Sequence, residues 1–380
     1  MKKLKILHVF GRMQKGGAEM RTLELMQKMH RDQTPVQFDY CVLSGKSGEL
    51  DSLITSLGGK IHYLPLNLSF LAKFKHVIHE NRYDAIHSHV HLFSGYLLRI
   101  ANSMAVPVRI CHLHTTGDDT PRPLRKKIQN HLMRHWLFKY ATDIIGVSQG
   151  ALTTFLKDAP QFKGDPRCQV IYDAIDPQRF ETRANRAQIR RSIGVEECTS
   201  LIIHVGRVEP VKNHDRLFRI FAKVLEKAPN AHLLLVGNVE ARARKQFEAL
   251  AAELNICPKL SILGSRSDIP DLLRASDLMI LPSLWEGLPG VVLEASAVGL
   301  RVISSELPGS LELGNYFPGI SCIRLSEPDV FWRDAVIQKL QLHRLQASEA
   351  MNTLKNSPFA IEYCLNRLIP LWTKVNSVSK

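Results

Sequence analysis

Two carboxylates eight positions apart, Glu286 and Glu294, lie in the stretch Pro282-Ser-Leu-Trp-Glu286-Gly-Leu-Pro-Gly-Val-Val-Leu-Glu294-Ala295. A carboxylate accepts hydrogen bonds at both oxygens, so such a pair suits the hydroxyls of a sugar. Gly287, Leu288 and Pro289 read as a turn that opens an apolar helix. Glu294 on that helix is flanked by Val291, Val292, Leu293 and Ala295. A buried carboxylate needs partners, and a ligand hydroxyl meets that need better than an ordinary helix-surface position does. A second segment, Gly206-Arg207-Val-Glu-Pro-Val-Lys212-Asn213, puts two cations just after a strand-like run. Arginine forks two phosphate oxygens and lysine adds a mobile point charge. By itself this segment reads as a solvated loop, and the anion reading gains only from the need of the same cleft to hold an anion. A third, Gly11-Arg-Met-Gln-Lys-Gly16-Gly17-Ala-Glu19, offers backbone amides at a helix start, where an anion such as phosphate is favoured. It fits neither the dinucleotide fingerprint nor the P-loop, and a plain strand-to-helix turn explains it as well.

Histidine is the fourth feature. His87, His89, His91, His112 and His114 gather at the ends of two predicted strands. Alternate strand residues share a face, so a metal site comes to mind. No neighbouring carboxylate or cysteine in the sequence completes one, and buried structural histidines are the plainer reading; no metal is expected. The fifth is Pro121-Arg122-Pro-Leu-Arg125 and the helical pattern that follows. Leu124, Ile128, Leu132 and His135/Trp136 fall near one face, while Arg125, Lys126, Lys127, Arg134 and Lys139 are cationic. Such a helix either lies on an anionic membrane surface or faces the core with a solvated basic back.

These residues need elements to position them, and the pattern supplies two sets. Strand-like runs at 5–10, 37–43, 60–64, 85–89, 108–112, 143–147 and 169–172 alternate with helical patterns at 18–30, 48–57, 70–81, 93–102 and 124–140. The alternation restarts after position 176. Strands are expected at 201–205, 231–236, 260–263, 278–281 and 301–304, with helices at 181–193, 215–227, 241–254, 269–275, 289–298, 327–345 and 358–375. Repeated strand–helix alternation predicts parallel sheets covered by helices, with ligands at the carboxyl ends of the strands. The fold class is therefore α/β, two Rossmann-like doubly wound domains facing across a cleft. The expected divisions are 1–176, 177–357, and a final helix in 358–380 that packs back on the first domain.

At 380 residues, two domains are the default for a chain of this length. Seven scattered cysteines without a paired motif argue against a disulfide framework and suit a reducing compartment. No run approaches the ~20 apolar residues of a spanning helix. A cytoplasmic protein is expected, peripheral on the inner membrane face if the basic helix docks there. The net charge of +14 admits nucleic acid, anionic lipid or phosphorylated substrates. Aromatic residues are only 7% of the chain, few for stacking on nucleic acid, so none is expected as a partner.

In this setting the Glu286…Glu294 spacing resembles the E-x7-E signature of glycosyltransferase family 4, retaining enzymes with two Rossmann-like domains. The Gly206-Arg207-x4-Lys212-Asn213 segment, the Gly16-Gly17-Ala18-Glu19 turn and Gly309-Ser-Leu-Glu312 match that family in the same order. The resemblance implies that Arg207 and Lys212 hold the donor diphosphate and stabilise its charge as the glycosidic bond breaks. It implies that Gly16 and Gly17 admit the diphosphate. Glu286 would bind the transferred sugar, with Gly287, Leu288 and Pro289 framing it, and Glu294 the ribose. Arg266, in Gly264-Ser-Arg-Ser-Asp268, falls in the segment that frames the base. His114 matches the histidine that faces the donor sugar. His89, Arg122 and Arg125 are expected on the acceptor side. Two departures stand out: Asp173-Ala-Ile-Asp176 replaces the usual Asn-Gly-Ile-Asp, and Pro308-Gly309 replaces paired glycines.

The expected activity is a retaining transfer of a sugar from a nucleotide diphosphate donor, UDP- or GDP-linked, with no cofactor. The acceptor would be a saccharide or a polyprenyl-diphosphate-linked saccharide of a surface polysaccharide. A sugar-nucleotide epimerase or glycogen-type synthase could use the same scaffold. A nicotinamide oxidoreductase would need the missing glycine fingerprint and acidic ribose position.

Overall fold

A computed structural model describes residues 3–116, 123–181 and 185–374. The chain divides into two compact units, one of Met1–Ala174 with Ile361–Lys380 and one of Ile175–Ala360. The first is built on β1 (Leu4–Phe10), β2 (Val36–Val42), β3 (Ile61–Tyr63), β4 (Ala85–Ser88), β5 (Val108–Leu113), β6 (Asp143–Gly146) and β7 (Cys168–Val170). All pair in parallel in the order β3-β2-β1-β4-β5-β6-β7. Alternation along β1 sends Leu7 and Val9 into one core and Ile6 and Phe10 into another. Helices cover both faces, which is why these strands are nearly continuous in apolar residues.

The second of those cores is completed from the far end of the sequence. The helix Ile361–Trp372 buries Ile361, Leu365, Leu368 and Trp372 among β1, β2 and the helix Gly17–Arg31. Lys374 Nζ reaches the buried Asp143 carboxylate at 2.8 Å. A chain that leaves the first unit at position 174 therefore returns to finish it.

The second unit holds β8 (Ser200–Val205), β9 (Ala231–Val236), β10 (Leu260–Gly264), β11 (Leu278–Leu281), β12 (Arg301–Ser305) and β13 (Ile320–Ile323). They too are parallel, ordered β10-β9-β8-β11-β12-β13. The helix His214–Leu225 turns Leu217, Phe218, Ile220, Phe221 and Val224 onto this sheet. Arg190, 1% exposed, ties the helix Arg186–Ser192 down by donating to the carbonyls of Ala275, Glu196, Glu197 and Thr199 and to Asp277 at 2.6 Å.

Four elements depart from the sequence expectation. β13 is a half-buried edge strand whose Ser321 and Cys322 dilute its apolar pattern. The helices Gln149–Lys157 and Pro308–Gly314 are short, and Pro308-Gly309 reads locally as a turn. The long helix expected over 327–345 ends at Leu340, and a separate helix runs Ala347–Lys355. Between them Arg344 turns inward and donates to the carbonyls of Arg274, Ser276 and Val298. Those acceptors come from remote segments, so no local signal announces the break. No described helix is long and apolar enough to cross a membrane.

Candidate active site

In the second unit the strand order reverses direction between β8 and β11, the position where open α/β sheets place ligands. The loop after β8 carries Arg207 and Lys212; the loop after β11 carries Glu286. One backbone and one side-chain bond knit the two loops, with Leu284 N donating to Val211 O at 2.8 Å and Asn213 Nδ2 to Pro282 O at 3.1 Å. Asn213 adopts a left-handed backbone, φ 55°, a conformation asparagine tolerates better than most residues. The outcome is a contact between Lys212 Nζ and Glu286 Oε1 at 2.6 Å, both side chains mostly buried. The two motifs, 74 positions apart, become one site.

Around that pair the other expected residues take up distinct places. Glu294 is 8% exposed on the helix Gly290–Ala297, and Leu288 is buried at its start. Gly309 is required by contact: a Cβ there would lie 2.3 Å from the Gly287 carbonyl oxygen. The helix Pro308–Gly314 thus rests directly on the Glu286–Gly287 turn. Arg207 is more open, 3.3 Å from Glu209. Arg266 is clasped by Asp268 through two bonds of 2.8 and 2.6 Å, which raises its already high pKa and lowers that of the carboxyl.

One residue of this region escaped the sequence reading. His204, fully buried near the carboxyl end of β8, bonds the Ile280 carbonyl through Nδ1 at 2.9 Å. Burial, then His214 beside it, holds its pKa far below the usual histidine range. Burial and Lys212 push His214 down to about 4. The available signal was a lone histidine in the apolar run Leu201-Ile-Ile-His204-Val.

In the first unit the reversal lies between β1 and β4, and here the histidines assemble. His8 on β1, which the sequence reading did not single out, joins His87, His89, His112 and His114. Ring nitrogens meet at 3.0 Å between His8 Nδ1 and His89 Nε2, and at 2.8 Å between His89 Nδ1 and His114 Nε2. His87 Nε2 lies 3.1 Å from His112 Nδ1, and Trp372 Nε1 donates to His87 Nδ1 at 3.2 Å. Asp173 Oδ2 stands 3.6 Å from His114 Nδ1, supplying the carboxylate that local sequence lacked. Burial above all keeps four of these rings neutral: His8 falls to about 3, and His87, His89 and His112 lie well below the usual value. His89 also stacks on Phe10 at 4.1 Å, and both its nitrogens face other imidazoles.

Gly16 caps the helix Gly17–Arg31 without a side-chain bond, and nothing within 4 Å would meet a Cβ on Gly17. Arg125 is exposed on the helix Leu124–Tyr140, and Arg122 lies outside the described residues. On that helix Leu124, Ile128 and Leu132 are 73%, 63% and 42% exposed, while Leu137 and Phe138 are buried. Only its carboxyl end packs on the core.

Comparison with known proteins places this arrangement. Residues 15–179 match the profile "Glycosyltransferase Family 4" and residues 185–319 match "Glycosyl transferases group 1". The putative glycosyltransferase EpsF of Bacillus subtilis (strain 168) is 30% identical over 340 residues, 87% of this chain and 86% of that protein. The chain belongs to glycosyltransferase family 4. Members of this family are retaining enzymes, and the two α/β units are its GT-B architecture. A further relative, the capsular polysaccharide biosynthesis glycosyltransferase CapH of Staphylococcus aureus, is 30% identical over 83% of this chain and 84% of its own. The Escherichia coli UDP-Gal:alpha-D-GlcNAc-diphosphoundecaprenol alpha-1,3-galactosyltransferase is 26% identical across 100% of this chain and 95% of its own. Anabaena HepE, solved with UDP-glucose, has the same fold, with a TM-score of 0.76 at 21% identity over 96% of this chain and 98% of its own.

Proposed function

We propose that this family 4 transferase moves a hexosyl group from a UDP-sugar to a polyprenyl-diphosphate-linked saccharide in the assembly of a surface polysaccharide. The observation that carries the donor half is the Lys212–Glu286 contact, a cation for diphosphate and a carboxylate for sugar hydroxyls at one switch point. Arg207 and Lys212 balance the charge that grows on the leaving diphosphate. Glu286 holds the transferred sugar, with Gly287, Leu288 and Pro289 at the helix start beside it, and Glu294 takes the ribose. Arg266 stands near the base. By the same resemblance Gly16, Gly17 (with nothing within 4 Å of a Cβ) and the ring of His114 are assigned to the donor as well. Attack on the same face as the departing phosphate fits retention, because the phosphate oxygen can take the acceptor proton and no carboxylate is required as a nucleophile.

The choice of donor and acceptor leans on relatives: HepE was solved with UDP-glucose, and the E. coli enzyme is named for UDP-Gal and a diphosphoundecaprenol-linked sugar. The exposed Leu124, Ile128 and Leu132, set among Arg125, Lys126 and Lys127, suit an anionic bilayer where such an acceptor resides. Arg125 would then serve the acceptor side, whereas both ring nitrogens of His89 are already engaged by His8 and His114. The test is a thermal-shift panel of UDP-, GDP-, ADP- and TDP-sugars, followed by transfer to a synthetic polyprenyl-diphosphate saccharide. Stabilisation by UDP-sugars and product formation are expected; selective stabilisation by another nucleotide would overturn the donor assignment.

A further inference from the structure

An indole N–H only donates and a carboxylate only accepts, and the histidine cluster has one of each at its edges. Trp372 donates to His87 Nδ1, so that nitrogen keeps its lone pair and the neutral ring carries its hydrogen on Nε2. That hydrogen points to His112 Nδ1, which leaves the His112 hydrogen on Nε2. The other chain begins at Asp173. Its carboxylate, 3.6 Å from His114 Nδ1, is too far for a normal hydrogen bond but close enough to favour N–H over a lone pair there. His114 Nε2 then accepts from His89 Nδ1, and His89 Nε2 accepts from His8 Nδ1.

We propose that Asp173 is a positioning residue for His114, setting one tautomer along His114–His89–His8, while Trp372 sets the opposite tautomer along His87–His112. The far ends of the two chains are complementary. His8 Nε2 ends as a lone pair and His112 Nε2 as an N–H, and neither has a hydrogen-bond partner among the described residues. Both residues line one cavity of about 10 Å³, with Arg21, Asp173 and Cys364 also on its wall, room for a water at most and none for a sugar. The same logic disfavours a metal. Ring nitrogens of His89, His112 and His114 come within 4.8 Å of one another, as do those of His8, His87 and His89. A metal needs lone pairs, yet Trp372 commits His87 and His112 to N–H at Nε2, and their Nδ1 lone pairs are already taken.

The consequence for transfer rests on the reading of His114 as facing the donor sugar. A hydroxyl that reaches this ring meets Nε2 as an acceptor, shared with His89, and Nδ1–H is turned toward Asp173. In this chain Asp173 stands where the family usually has asparagine, so the charge is its own feature.

Full-length protein labelled with ¹⁵N-histidine tests the tautomers directly, since protonated and bare ring nitrogens resonate in separate ranges. Single His→Gln variants assign the signals. The expected pattern is Nδ1–H for His8, His89 and His114, and Nε2–H for His87 and His112; Nε2–H at His114 in the wild type overturns the proposal. Asp173→Leu should move the hydrogens of His114, His89 and His8 to Nε2, and Asp173→Asn, which loses the charge at a distance too long for a hydrogen bond, should move them likewise. Unchanged tautomers in Asp173→Leu overturn the role of the carboxylate. Trp372→Phe should release His87 and His112 and leave His114 as it was. If Asp173→Leu does not fold, the wild-type spectrum with Asp173→Asn and Trp372→Phe still decides. In transfer assays Asp173→Leu should lower kcat about tenfold with donor KM little changed, and Asp173→Asn, which also lacks the charge, should lower it too. Shifted tautomers with an unaltered kcat would refute the positioning role. Absence of any transfer by the wild type would count against the proposed function, while leaving the tautomer result intact.

Discussion

Lys212 and Glu286 neutralise each other at 2.6 Å, so removal of either strands a mostly buried charge beside the proposed donor position. Lys212→Ala should lower kcat by about 10²–10³, the usual cost of deleting one electrostatic stabiliser of a leaving group. Glu286→Gln keeps the shape and one acceptor oxygen but loses the charge, and should raise donor KM while leaving the melting temperature within a few degrees. Steady-state kinetics with the best donor of the panel measure both, and full activity in Lys212→Ala would sink the site. The pair itself was foreseeable as two motifs. Its direct contact was not, because it depends on two loops held by Asn213 and Val211.

At the level of elements, the helix Pro308–Gly314 tests how tightly the Glu286–Gly287 turn is built. Gly309→Ala would drive a methyl group to 2.3 Å from the Gly287 carbonyl oxygen. Relieving that clash should cost about 1–3 kcal/mol and displace Glu286, read as a lower denaturation midpoint and weaker donor binding. The helix Leu124–Tyr140 makes the second prediction. Leu124→Ser with Ile128→Ser removes apolar surface that is already exposed, so stability should hardly change. Flotation with anionic vesicles should drop, and wild-type protein that never floats would end the membrane assignment. The third element is Ile361–Trp372. Truncation after position 357 exposes the core face that carries Ile6, Phe10 and Phe38, and should leave the first unit aggregated or molten. Limited proteolysis and near-ultraviolet circular dichroism would report it.

For the molecule as a whole, the buried neutral histidines make stability depend on pH. The ordinary histidine value is 6.5, and folding lowers it for His8, His87, His89, His112, His204 and His214. Below that value the unfolded chain binds protons that the folded chain refuses, so stability is full above about pH 7 and falls as the pH drops. For His8, with a folded value of about 3, the loss begins near 6.5 and continues down toward 3. By pH 5 it amounts to about 2 kcal/mol for that residue taken alone. Denaturant midpoints measured from pH 7.5 to 5 should fall steadily, and His8→Phe should flatten the slope. A midpoint independent of pH over that range would contradict the burial of the cluster.

Much of this protein was legible in one dimension. Alternating apolar strands and amphipathic helices are local patterns, so two parallel sheets and most of their elements followed from periodicity. Glu286, Glu294, Arg207 and Lys212 announced themselves through residue type and spacing beside glycine-rich turns. Where long-range partners decide, the sequence was silent. β13 exists because β12 offers it an edge, and the helix expected to 345 stops where Arg344 finds remote carbonyls. His8, Asp173 and Trp372 carry no local sign of belonging together, since they lie on β1, at position 173 and in the last described helix. Parallel pairing sets β1 beside β4 and β4 beside β5, and the returning helix lays its indole on His87. A hydrogen-bonded chain is a property of distances, and only the folded chain sets those.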